Sequence, residues 1–509
     1  MAPHAHLAIY KVCGKDQCYG SDLLAGFDQA VDDGVDILSV SLGGDADSFY
    51  DDVSAVGSYG AMEKGVLVSF SAGNSGSDPG STNNNAPWAI TVGASTLDRD
   101  LRTSLKFNTS TVLNGQSAYQ PKNYKSAPLS LIYPGSVSPL FATCTIDGLV
   151  DVNVTGMAVL CDDGDIEWVA KGKVVKDAGG AAMIIAGSPS EGYTTFASPH
   201  VLPAAQVSAF DGEAIKEYIN SVSDATATFS FHGAVYNVTP SPVMAFFSSR
   251  GPSGQDPNVL KPDIVAPGVN ILAAWPYSVG PDPSIGADFN MISGTSMSTP
   301  HISGIAALLK SSHPDWSPAA IKSAIMTSAS GIGNDGKPIA DYTLEPADNY
   351  AIGAGLVNPT AANTPGFIYD INPATYIPYL CGLGYTDAQV ATIVRRSVRC
   401  AGVTAISGSE LNLPSFSVKL AKFNNFNKTV TRTVTYVGDA ASKFTVEVDQ
   451  PSGSFVSVSP KTLAFSHANE QAHFSVTFSV NAAGRLGDNS HDGGSDLHLL
   501  RCQLNEGQA

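Results

Sequence analysis

Between residues 7 and 101 the apolar and polar positions follow two rhythms. Leu7–Val12, Val35–Leu42, Val66–Ala72 and Trp88–Gly93 are short, nearly continuous apolar runs and predict strands. Between the first two, Leu23, Leu24, Phe27, Ala30 and Val31 recur at helical spacing behind Ser21, a candidate cap, and stop at Gly34. A second helical stretch ends at Lys64 before Gly65. Strands so uniformly apolar suit a parallel sheet covered by helices on both faces, with right-handed crossovers. From about 102 to 240 the texture shifts toward Gly, Ser, Tyr and Pro. A compact pattern inside it predicts a separate α/β domain: Met157–Leu160 as strand, Ile166–Asp177 as helix, Ala181–Ala186 as strand and a helix near Glu213–Ile219. The first rhythm resumes at Pro242 and runs to about 400, with a long helix after Ser296 and another opened by Ser317-Pro318, a cap followed by proline at the first helical position. From about 412 to 483, period-two runs such as Thr429–Tyr436, Phe444–Val448 and Phe474–Val480 predict an antiparallel sandwich. Gly484–Ala509 is polar, rich in Gly and Asp, and predicts a disordered tail.

Composition narrows the function classes. Charged residues are only 15% of the 509, hydrophobic residues 43%, and no apolar run is long enough to span a bilayer. The net charge of -18 is scattered along the chain, so there is no basic face for a phosphate backbone, and neither nucleic acid nor membrane is an expected partner. Six of seven cysteines fall into local couples, Cys13 with Cys18, Cys144 with Cys161 and Cys381 with Cys400, as in an oxidised, secreted protein; Cys502 is left over. None has zinc-like spacing with histidine and no carboxylate cluster argues for calcium, so no metal or other cofactor is expected. Sequons at Asn108, Asn153, Asn237 and Asn427 point to the same compartment. The N-terminus has no charged segment followed by an apolar core, so an extracellular location is expected without a signal peptide in the chain.

The strongest local signal is Ser293-Gly294-Thr295-Ser296-Met297-Ser298-Thr299-Pro300-His301, leading into the apolar run Ile302–Leu309. A serine at the start of a buried helix sits beside free backbone N–H groups and the positive end of the helix dipole, where a developing oxyanion is favoured. An isolated serine there is ordinarily only a cap. Ser71-Ala72-Gly73-Asn74-Ser75-Gly76 adds an asparagine at the end of a predicted parallel strand, where catalytic groups of open α/β sheets gather. Its amide N–H is a candidate second oxyanion donor for acyl transfer.

These two motifs, with Phe247-Ser-Ser-Arg-Gly-Pro, Lys261-Pro-Asp-Ile-Val-Ala-Pro-Gly, Asp315-Trp-Ser-Pro-Ala-Ala-Ile-Lys-Ser-Ala-Ile-Met-Thr and Tyr379-Leu-Cys-Gly-Leu-Gly-Tyr, make the chain resemble the plant subtilisin-like serine proteases from residue 1 to about 480. The resemblance implies Ser296 as nucleophile and Asn74 as oxyanion asparagine. It implies Ser41-Leu42-Gly43-Gly44 and Ser71-Ala72-Gly73 as two backbone edges that pair with an extended peptide or protein substrate. The implied architecture is a subtilisin-like catalytic domain in two parts, 1–110 and 241–405. A protease-associated insert at 111–240 carries Cys144 and Cys161, a fibronectin III-like β-sandwich spans 406–483, and the tail covers 484–509. The insert is where a contribution to specificity or to a homodimer is expected.

The resemblance breaks at the base. The family activates its serine with a histidine in His-Gly-Thr and an aspartate in Asp-[Ser/Thr]-Gly, both upstream of the segment that here is Ala2-Pro3-His4-Ala5, and neither motif occurs in the 509 residues. His301 belongs to the serine motif and lies further along the same helix, His4 and His6 precede the first predicted strand, and Asp263 is expected to hold local structure. In subtilisin itself, loss of the serine or histidine costs on the order of a million-fold in turnover. The expectation is therefore a serine endopeptidase that is nearly inactive as it stands, arising from an incomplete gene model or aberrant transcript with Met1 internal to a longer protein. The alternatives are a non-catalytic protein that binds peptides or partners through the retained cleft, and an interaction module with no role for the cleft.

Overall fold

The computed structural model describes residues 2–15, 17–44, 46–276, 288–419, 426–450, 454–480, 497–501 and 504–506. Its centre is a four-stranded, wholly parallel sheet in the order Ile37–Val40, Leu67–Ser71, Ile90–Ser95, Ile264–Pro267. Successive side chains of these strands take opposite faces. Leu67, Ile90, Val92, Ile264 and Ala266 pack on Ile302, Ile305 and Leu309 of helix Thr295–Ser312 and on Ala320, Ile321 and Ala324 of helix Pro318–Thr327. Val68 and Phe70 pack on Phe27 of helix Gly20–Asp32 and Ala61 of helix Val53–Glu63. Strands Leu67–Ser71, Ile90–Ser95 and Ile264–Pro267 are thus buried almost throughout, while the first strand, Ile37–Val40, stays partly exposed.

Two local readings change. Leu7–Val12 is not a strand: Leu7 and Ile9 are 86% and 84% exposed. Apolar content favours a strand only where a neighbour takes its backbone hydrogen bonds, and among the described residues none does. Ser21 is not the cap of the first helix, which starts at Gly20, two residues earlier than that cap implies, behind Tyr19 and without a side-chain cap. Asp52 caps the second, its carboxylate accepting from Ser54 N at 2.8 Å and Ala55 N at 3.2 Å. Ser317 caps helix Pro318–Thr327 by accepting from Ala320 N at 3.0 Å.

Residues 99–236 fold as a closed barrel with strand order Thr226–Tyr236, Arg99–Phe107, Val112–Gln116, Ala204–Val207, Ala182–Ala186, Ala158–Asp162, Leu129–Ile132, with helices Trp168–Asp177 and Ala209–Ser221 packed on it. The barrel begins earlier than the expected boundary at 111, because Arg99–Phe107 pairs along its length with Thr226–Tyr236 and buries Leu105 and Phe107 in the barrel core. The C-terminal strands enclose a core of Phe367, Phe416, Val430, Phe444, Val476 and Phe478. Its principal sheet runs Phe367–Ile368, Phe426–Tyr436, Gln471–Val480, Phe455–Ser459, so the end of the α/β portion supplies an edge strand to the sandwich. The expected disordered tail falls mostly outside the described residues, but Leu497–Arg501 pairs with Ser415–Lys419 and Leu504–Glu506 with Ser442–Val446, which corrects that reading for those residues.

Candidate active site

Helix Thr295–Ser312 begins at the carboxyl end of the sheet with Gly294 as its N-cap and no side-chain cap. Ser296 is therefore the second helical residue, and capping does not account for its hydroxyl. Gly294 N donates to Gly268 O at 2.8 Å, which ties the turn to the segment after strand Ile264–Pro267. Pro300 lies within the helix and has no N–H to give the carbonyl four residues back, that of Ser296. Ser41 Oγ supplies that bond at 2.9 Å, and Ser296 Oγ lies 3.5 Å from Ser41 O. The turn that carries Ser296 is thus pinned to the end of strand Ile37–Val40 by a partner 255 residues away in sequence.

Asn74 completes the arrangement. Its Oδ1 accepts from Thr295 N at 2.9 Å and from Thr295 Oγ1 at 2.8 Å. A backbone N–H can only donate, so the amide orientation is fixed, with Nδ2 on the side of Gly294 and without a hydrogen-bond acceptor among the described residues. The loop carrying Asn74 is laid along residues 247–251. Gly76 N donates to Phe247 O at 2.9 Å, Ser249 N to Gly73 O at 3.1 Å and Ser75 N to Ser249 Oγ at 3.1 Å. Gly73 has φ +106°, and a Cβ there would stand 2.5 Å from Asn83 Oδ1 and 2.8 Å from Ser249 Oγ, so only glycine fits this turn.

The structure brings both expected substrate edges beside Ser296 but changes the reading of one. Ala72 N donates to Val92 O and Ala72 O accepts from Asn83 N, while Ser71 O and Leu42 O both accept from Asn84 Nδ2 at 2.9 and 2.8 Å. With those groups engaged, the Ser71 and Ala72 carbonyls and the Ala72 N–H are not an open strand edge. Gly43 and Gly44 of the other edge are exposed. Asn84, buried at φ +56°, ties the two segments together. Sequence reading passed over it because Ser81-Thr-Asn-Asn-Asn reads as an ordinary polar loop, though its left-handed conformation suits an asparagine.

Among the described residues no histidine or carboxylate is hydrogen-bonded to Ser296 Oγ. His301 Nδ1 is 2.7 Å from Met297 O of its own helix, and His4 and His6 are exposed before the first helix. Asp263 is buried, accepting from Thr91 N at 2.8 Å and bridging the Lys261 and Lys322 ammoniums at 2.7 and 2.8 Å. Burial pushes its carboxyl up, but the two ammoniums outweigh that and hold it below the usual range. This network joins strands Ile90–Ser95 and Ile264–Pro267 to helix Pro318–Thr327 beneath the site. No group of His, Cys, Asp and Glu among the described residues is arranged to hold a metal ion. Disulfides join Cys13 to Cys18, Cys144 to Cys161 and Cys381 to Cys400. Asn108, Asn153, Asn237 and Asn427 are all exposed. No helix among the described residues is long and apolar enough to cross a membrane.

Comparison with known proteins agrees with this geometry. The profile of the subtilase family matches residues 1–355, and that of a fibronectin type-III domain matches 410–495. Subtilisin-like protease SBT1.7 of Arabidopsis thaliana is 44% identical over 499 residues, covering 96% of this chain and 65% of its own length. Subtilisin-like protease SBT1.5 of the same plant is 42% identical, covering 94% of this chain and 64% of its own. The chain thus spans just under two thirds of the curated relatives it matches. With Ser296 and Asn74 facing each other across the end of a parallel sheet and a family match over most of its length, the chain belongs to the subtilase family, alongside the plant subtilisin-like proteases.

Proposed function

We propose that this chain carries the nucleophile and the oxyanion donors of a serine endopeptidase, Ser296 attacking the carbonyl of an extended peptide or protein substrate to form an acyl-enzyme. The observation that carries the reading is the double anchoring of Asn74 Oδ1 on Thr295, which leaves Nδ2 beside the Ser296 N–H at a helix N-terminus, each nitrogen 3.6 Å from where a Cβ on Gly294 would stand. Both donors are in place before substrate arrives, so they stabilise the tetrahedral oxyanion without rearrangement. The exposed Gly43-Gly44 backbone and the Ser71-Ala72-Gly73 segment receive the substrate. Among the described residues, Ser296 Oγ has no proton acceptor stronger than the Ser41 carbonyl, 3.5 Å away. As it stands, turnover by this chain is nearly abolished.

The same observation favours a second reading, a non-catalytic relative that binds peptides in the retained cleft. The barrel at 99–236 serves as a protease-associated domain, and three disulfides with four exposed sequons support an extracellular, glycosylated protein. A biotinylated fluorophosphonate tests both readings. Rapid labelling of Ser296 at neutral pH would refute the predicted inactivity. Slow labelling that appears only in alkali and vanishes in Ser296→Ala supports the first reading. Peptide binding with no labelling at any pH supports the second.

A further inference from the structure

The barrel touches both halves of the site through one short loop. On the nucleophile side, Ala197 N donates to Asn270 Oδ1 at 2.9 Å, and Asn270 Nδ2 donates to Thr195 O and Gln116 Oε1, each at 3.1 Å. Asn270 is 5% exposed with φ +54°, and its own N–H donates to Ser293 Oγ at 2.9 Å, three residues before Ser296. Its carbonyl accepts from the Arg99 guanidinium, so backbone and amide are both fully engaged. On the other side, Phe196 stacks on Phe247 with centroids 6.2 Å apart at 24°, and on Trp168 of the barrel at 4.9 Å and 22°. Phe246 N donates to Thr194 Oγ1 at 3.3 Å. Phe247 and Ser249 are the residues whose backbone and hydroxyl hold the Asn74 loop.

We infer that the barrel loop Thr194–Ala197 sets the spacing between Asn74 and Ser296, with Phe196 acting through the Asn74 loop and Asn270 through Ser293. Both are positioning residues, since each acts on one of the two donors through an intervening residue. The two donors lie more than two hundred residues apart in sequence and belong to separate loops. A shift of about 1 Å in such an arrangement costs on the order of a hundred-fold in rate, so an element gripping both loops at once has direct leverage on the chemistry. The inference rests on the proposed role of Ser296 and Asn74.

The test uses the full chain and alkaline phosphonylation of Ser296 by a fluorophosphonate, in which the Oγ–P bond forms, fluoride leaves and hydroxide takes the proton. Phe196→Ala and Asn270→Gly are each expected to slow labelling about ten-fold, a fraction of the loss from removing an oxyanion donor outright, and Phe196→Tyr to restore it. In an Asn74→Ala background the Phe196→Ala effect disappears, whereas Asn270→Gly keeps its effect. Hydrogen exchange supplies a readout independent of chemistry. Gly73–Ser77 loses protection in Phe196→Ala and Thr295–Met297 in Asn270→Gly, while the sandwich strand Gln471–Val480 is unchanged. Undiminished protection at both segments, or a Phe196→Ala effect that persists without Asn74, overturns the inference. If the wild-type chain is never phosphonylated, the role proposed for Ser296 fails, and exchange alone decides the barrel's part.

Discussion

Two buried groups in the barrel titrate against each other, and separating them makes a strict test of the structure. His200 is 4% exposed with neither ring nitrogen hydrogen-bonded to any described residue, and burial pushes its pKa from the ordinary 6.5 down to about 4. Glu191 is also 4% exposed; burial, aided by Asp163, pushes it from 4.5 up to about 7 against one backbone bond from Ser188. For His200 the unfolded chain takes the proton first, so its contribution to stability is lost as pH falls from 6.5 toward 4. For Glu191 the folded chain takes the proton first, so stability is gained as pH falls from 7 toward 4.5. Between pH 7 and 5 each effect amounts to about 2 kcal/mol, of opposite sign, so the intact barrel is expected to be nearly indifferent to pH in that range. His200→Leu should therefore stabilise the barrel by about 2 kcal/mol on going from pH 7 to 5, and Glu191→Gln should destabilise it by about as much. The assay is urea titration of the full chain at both pH values, read by pulse labelling of the amides in Ala182–Ala186. If the wild type and His200→Leu shift in parallel, His200 is not held neutral by burial and the reasoning fails.

Further expectations follow from the site. Asp263→Asn leaves the buried Lys261 and Lys322 ammoniums without a counter-charge, which should cost about 3–5 kcal/mol and lower the melting temperature of the α/β portion by about 10 °C; a fall of under about 2 °C would show that the carboxylate does not hold those charges. Ser41→Ala should cost about 1 kcal/mol in the wild type but almost nothing in Pro300→Ala, where a restored N–H can take the Ser296 carbonyl, and equal costs in both backgrounds would disprove that role for Ser41. Asn74→Asp keeps the acceptor for Thr295 but turns a donor into a negative charge. Phosphonylation of Ser296 should slow by about a hundred-fold or more with an unchanged melting temperature, and an unchanged rate would remove Asn74 from the oxyanion site.

The elements with a clear apolar run, period or cap were legible in the sequence: the strands at 37–40, 67–71 and 90–95, the helices at 20–32 and 318–327, and the alternating strands of the sandwich. The local settings of Ser296 and Asn74, a helix start and the end of a parallel strand, were legible too, since each motif carries its local geometry with it. What stayed hidden depends on distant partners. Leu7–Val12 has strand composition, yet composition does not supply a neighbour. Arg99–Phe107 reads as an extension of the catalytic portion until its partner at 226–236 is known. The reach of Ser41 to the Ser296 carbonyl follows from the missing N–H of Pro300, a signal present in the sequence but silent about which hydroxyl answers it. Asn84 and Asn270 were invisible for the same reason: an asparagine in a left-handed turn is common, and only the fold shows which loops its amide joins.

The anchoring of the site also predicts how its chemistry responds to pH. Asn74, Thr295, Ser41 and the first N–H groups of helix Thr295–Ser312 have no titration in the accessible range, so the proposed oxyanion donors are equally formed in acid and alkali. The only proton whose removal can limit attack is that of Ser296 itself, and among the described residues its hydroxyl faces a carbonyl that cannot take it. The logarithm of the phosphonylation rate should therefore climb with pH at a slope of about one, following hydroxide, with no inflection near the ordinary histidine range. A plateau above pH ~7 would mean that a histidine serves Ser296 after all. His4→Ala, His6→Ala and His301→Ala would then identify it, because only the variant that removes the base restores the unbroken slope.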